Sequence, residues 1–81
     1  MRERVLEHLR KALNHVLRAL KELEDTRRLC LRHGYDVRGD NHYSLQSDIN
    51  WRVDNAVNLA RNLRFAIKMV KSAREPEQGE G

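Results

Sequence analysis

Apolar residues in the first part of the chain recur in alternating steps of three and four: Leu6, Leu9, Leu13, Val16, Leu20 and Leu23. That is the heptad spacing of a helix packed along a seam. Ala12, Leu17 and Ala19 widen the stripe, and no proline or glycine interrupts residues 2–33. The pattern predicts one helix over about 2–33, a rod roughly 45 Å long. His33 followed by Gly34 supplies the stop, with the glycine as a left-handed cap.

A second helical pattern runs from residue 45 to about 74. At 100° per residue, Ile49, Val53, Ala56, Ala60, Leu63, Ile67 and Val70 share one side. Nearly opposite lies another stripe: Trp51, Asn55, Asn58, Asn62, Phe65 and Met69. A helix with a single core face carries charge on its back; this one carries aromatics, a methionine and three amides. Ser44 is the expected N-cap, Asp48 complements the first turn, and Pro76 is expected to end the helix. The tail at 76–81 is polar and is expected to be disordered.

Between the helices lie the eleven residues 34–44, long for an antiparallel connection. Gly39, Asp40 and Asn41 have turn chemistry, and Tyr35, Val37 and Tyr43 are expected to pack the loop on itself, a binding loop being the alternative. The fold class is therefore all-α, an antiparallel two-helix hairpin. Pairing residues whose numbers sum to 76 sets Leu6 on Val70, Leu13 on Leu63, Val16 on Ala60 and Leu20 on Ala56, so that large meets small. In that register Glu3 and Glu7 are expected near Lys68, Lys71 and Arg74. Arg28 and Arg32 are expected near Asp36, Asp40 and Asp48.

Length and composition decide what such a hairpin can be. Eighty-one residues make one small domain, marginal alone. Apolar arcs this wide exceed what two helices bury. Self-association into a four-helix bundle is the expected solution, a dimer being favoured on symmetry grounds. A trimeric six-helix bundle with the second helices inside is the alternative. The single cysteine, Cys30, excludes an intrachain disulfide and suits a reducing compartment. The amino terminus leads straight into an amphipathic helix, and no apolar run is long enough to span a bilayer. A cytoplasmic protein without membrane contact is expected.

Candidate chemistry is sparse. The asparagines of the Trp51–Met69 stripe suit a hydrogen-bonded interface, in which amides satisfy one another and fix register. Arg61, Arg64, Lys68 and Lys71 form a basic stripe, in a chain of net charge +4, able to track nucleic-acid phosphates. Glu24, Arg27, Asp48 and Arg52 outline a polar pocket at the loop end, for which a half-solvated cap of the bundle is the plainer explanation. His8 and His15, two turns apart, are about 10 Å from each other along the axis, too far to share a metal within one chain. Cys30 and His33 have no evident oxyanion donors. No catalytic set, metal site or cofactor is expected. The sequence thus points to a non-enzymatic interaction module that self-associates through helix faces. Binding of RNA or DNA is the second reading, and a small-anion pocket the third.

Overall fold

The computed structural model describes residues 1–39 and 43–73. Within them α1 spans Arg2–His33 and α2 spans Leu45–Ser72, packed against each other as a hairpin. The expectations for the tail, for Arg74 and for the turn at Asp40 and Asn41 fall outside the described residues. At 32 residues, α1 is a rod of about 48 Å.

Each helix end has a chemical cause. Gly34 takes the left-handed conformation, φ 61° and ψ 26°, and its N–H bonds the Cys30 carbonyl. The Tyr35 N–H reaches the same carbonyl at 2.9 Å, so the Cys30 carbonyl accepts both the 5→1 bond of a left-handed glycine cap and a 6→1 bond from the residue after it. At the start of α2 the Ser44 Oγ accepts the Ser47 N–H at 3.0 Å. A second cap comes from across the loop. Asp36 Oδ1 accepts the N–H groups of Gln46 at 3.1 Å and Val37 at 3.0 Å. Two of the four orphan donors of α2 are thereby satisfied, one by a carboxylate at the positive end of the helix.

The connection is held by its backbone. Leu45 N–H bonds the Val37 carbonyl at 2.7 Å, Gly39 N–H bonds the Tyr43 carbonyl at 2.9 Å, and Arg38 bridges Ser44 in antiparallel fashion. The Gln46 side-chain amide adds a bond to the Tyr35 carbonyl at 3.1 Å. Tyr35, Val37 and Tyr43, expected to pack the loop, are instead exposed. Main-chain bonds and Asp36 already close the connection, so its apolar side chains are left pointing outward.

At the far end α2 stops at Ser72, short of the expected 74, and Ala73 is extended at φ −74° and ψ 144°. The last turn is closed off by side chains. Ser72 Oγ donates to the Lys68 carbonyl at 3.0 Å and lies 3.3 Å from that of Met69, and the Arg2 guanidinium donates to the Ala73 carbonyl. That contact between Arg2 and Ala73 lies one residue off the expected register.

The core follows the heptad seams. Leu6, Cys30, Ile49, Val53 and Ala60 are buried, and the other seam residues are half-buried. Cys30, Ile49 and Val53 cluster with Leu20, Leu23 and Leu45 near the loop. Ala60, midway along α2, is only 2% exposed. Among the described residues no side chain is fully enclosed, however. The molecule measures 62 × 24 × 15 Å, so its thinnest dimension is a single layer of helices. Compact domains ordinarily have two such layers around a core.

The expected ion pairs between helices give way to pairs along each helix. Glu7 binds Lys11 at 3.2 Å rather than Lys68 or Lys71, and Asp25 holds Lys21 at 2.9 Å and Arg28 at 3.5 Å. Asp48 binds Arg52 at 2.7 Å rather than Arg28 or Arg32. Partners three or four residues apart are already neighbours on a helix surface, so they win over partners across the seam.

Candidate association face

The arrangement that matters lies beside the core. The seam of α1 runs Leu6, Leu9, Leu13, Val16, Leu20, Leu23, Arg27 and Cys30; that of α2 runs Ile49, Val53, Ala56, Ala60, Leu63, Ile67 and Val70. The residue before each seam position lies about 100° to one side, and the residue after it about 100° to the other. In two antiparallel right-handed helices, the preceding positions of both fall on the same face of the hairpin. The following positions share the opposite face.

The two faces differ sharply in composition. Preceding positions on α1 are Val5, His8, Ala12, His15, Ala19, Glu22, Thr26 and Leu29; on α2 they are Asp48, Arg52, Asn55, Leu59, Asn62, Ala66 and Met69. Glu22 is the one acid on the α1 side, and Asp48 and Arg52 neutralise each other at 2.7 Å. Between Asn55 and Met69 this face carries no charge on α2. Following positions include Arg10, Lys21, Arg28, Arg61, Arg64, Lys68 and Lys71. One side of the layer is therefore apolar, amide and imidazole, and the other is basic.

The six residues of the Trp51–Met69 stripe are all exposed, and they do not act as one unit. Asn55, Asn62 and Met69 belong to the uncharged face. Asn58 and Phe65 lie on the outer back of α2, diametrically away from α1. Trp51 sits at the loop end, 60% exposed, with the Arg52 guanidinium 5.9 Å from its ring centroid. Beside it a shallow recess of about 170 Å³ is lined by Tyr43, Asp48 and Trp51.

Sequence reasoning missed Leu59, 48% exposed in the middle of the uncharged face, and the half-buried Ala66. It also left the α1 half of that face unassembled. The signal was present: Leu59, Ala66, Ala12 and Ala19 each sit one residue ahead of a core position.

Of the polar pocket, only Asp48 and Arg52 come together. Glu24 and Arg27 are half-buried on α1 and form no ion pair with either. The reason is geometric: Asp48 finds Arg52 one turn along its own helix. Arg61, Arg64, Lys68 and Lys71 are exposed, and none has a hydrogen-bonded or acidic partner among the described residues. Lys21 is pushed above its ordinary value by its hydrogen bond to Asp25 and by the charge of that carboxylate. Cys30 is buried while His33 is exposed. Among the described residues no cluster of His, Cys, Asp and Glu could hold a metal ion, and no helix is long and apolar enough to cross a membrane.

No protein-family model matches the chain, and searches of curated proteins and of solved structures return no relative.

Proposed function

We propose that the hairpin is an assembly module that pairs with a second copy of itself through its uncharged face, forming a symmetric four-helix bundle. The observation that carries this reading is the second heptad seam on each helix, both on the same face of a single-layer molecule. A soluble-facing surface gains from charge, and this one has almost none over the length of both helices.

The dimensions suit a stable dimer. From Val5 to Leu29 the face runs about 36 Å, and two adjacent helices are roughly 20 Å wide. The footprint of about 700 Å² per partner approaches the ~800 Å² of standard interfaces. Composition also bears on the arrangement. The α1 side is lined by Ala12 and Ala19, the α2 side by Leu59 and Met69. Laying α1 of one copy over α2 of the other sets large residues against small ones, as close packing requires. His15 would then fall level with Arg61 and Asn62 of the second copy, within reach of the Asn62 amide. A trimer with α2 innermost would cover Asn58 and Phe65 but leave His8, Ala12, His15 and Ala19 open, so the dimer accounts for more of the surface.

Sedimentation equilibrium at micromolar concentration tests the proposal. A dimer mass with a helical circular dichroism spectrum is expected. A well-folded monomer at 100-fold higher concentration refutes it.

A further inference from the structure

The basic face is the other half of the same segregation. Across both helices, the sector turned away from the uncharged face holds nine basic side chains (Arg10, Arg18, Lys21, Arg28, Arg32, Arg61, Arg64, Lys68 and Lys71) against five acidic ones (Glu3, Glu7, Glu24, Asp25 and Asp54). Two of these acids are taken up within their own helix. Glu7 is paired with Lys11, and Asp25 with Lys21 and Arg28. Arg10, Arg18, Arg61, Arg64, Lys68 and Lys71 have no acidic partner among the described residues. On α2 the four bases rise over about 15 Å, and Arg10 lies level with Arg64 across the helix pair, about 10 Å away.

We propose that this face binds the phosphate backbone of double-stranded nucleic acid without reading sequence, and that the paired hairpins bridge two duplexes. Rows of unpartnered cations spaced over 10–15 Å match a duplex, which carries one charge per about 1.7 Å of axis. One aromatic side chain, the exposed Phe65, borders the row of Arg61, Arg64 and Lys68, and a lone ring provides no track on which successive single-stranded bases could stack. An anionic bilayer is the less fitting occupant, because the apolar residues it would take up lie on the opposite face and on the back of α2. The bridging rests on the dimer proposed above. When the uncharged faces meet, the two basic faces must point away from each other, on opposite sides of the bundle, where one duplex cannot contact both.

The test uses the full chain, a fluorescent duplex DNA of mixed sequence, a matching duplex RNA, and vesicles containing phosphatidylserine. Four to five neutralised phosphates give a slope of log K against log salt of about −4, a loss of a few hundredfold between 50 and 200 mM salt. Arg64→Gln combined with Lys68→Gln should flatten that slope by about 2, with the circular dichroism spectrum unchanged. Bridging is read by retention of a labelled duplex on beads that carry a second duplex. The native chain should retain it, and Leu59→Glu should bind duplex with the same slope and retain nothing. Absence of duplex binding at 50 mM salt, a slope unmoved by the double substitution, or binding to vesicles alone overturns the phosphate assignment. Retention by Leu59→Glu equal to that of the native chain overturns the bridging. Sedimentation of the native chain without nucleic acid reports separately on the dimer, so its failure and failure of the phosphate site are told apart.

Discussion

Leu59 and Val57 make a matched pair of exposed aliphatic residues on α2, 48% and 37% exposed. Leu59 precedes a core residue and Val57 follows one, so they sit on opposite faces of the hairpin. Burying a leucine side chain fully contributes about 1.5–3 kcal/mol. The half of Leu59 still exposed is therefore worth about 1 kcal/mol on association, and a symmetric dimer buries two copies. Leu59→Ala should cost about 2 kcal/mol of dimerisation, close to a 30-fold rise in Kd. Leucine and alanine both favour helix, so the hairpin itself should survive. Leu59→Glu places a charge on each side of an uncharged interface and should abolish the dimer at micromolar concentration. The corresponding Val57 substitutions should leave Kd within about threefold. Sedimentation across a concentration series measures all four, with circular dichroism as the check on folding. The reasoning is refuted if Val57→Glu dissociates the protein while Leu59→Glu does not, or if both leave Kd unchanged.

Other outcomes follow from the ends of the helices. Gly34→Ala should destabilise by about 1–2 kcal/mol purely through its left-handed backbone, because a Cβ there meets nothing within 4 Å; Gly34→Asn should cost less. Thermal melts should register the loss as about 4–8 °C per kcal/mol. Asp36→Ala and Ser44→Ala should each cost about 1 kcal/mol, and the double substitution should fall short of additivity if the two caps restrain the same turn. For Lys21, the folded value lies above the ordinary 10.5 because Asp25 stabilises the charged form. Its contribution is thus fully present below 10.5 and is lost as pH rises through the folded value. The melting difference between the native chain and Lys21→Met should stay constant through neutral pH and vanish only in strong alkali; a difference that disappears by pH 8 would contradict the pairing.

The hairpin was legible because its seams are long and regular. Leu6 to Leu23 and Ile49 to Val70 announce a heptad that no alternative element shares, and Gly34 and Ser44 carry their own backbone chemistry. The loop was not legible. Asp36 caps an amide ten residues away in sequence, and nothing in local composition reveals such a bond. The charge pairing was misjudged because a register across two helices was weighed without the nearer partners on each helix, as Glu7 with Lys11 demonstrates. The association face was half read. The asparagines stand out in sequence as a stripe opposite the core, but Leu59 and Ala66 lie between that stripe and the core. Only the antiparallel placement of α1 shows that Ala12 and Ala19 stand on the same side.

The order uncharged, core, charged along three successive residues has a consequence for how the chain can change its length. Removing one residue from the middle of a helix brings each downstream charged residue into a core position, so a deletion in α2 would place Arg61, Arg64 and Lys68 where Ala60, Leu63 and Ile67 now pack. Adding one residue does the reverse and moves residues such as Ala12, His15 and Ala19 inward, a milder fault. Deletions within the helices should therefore be purged more strictly than insertions.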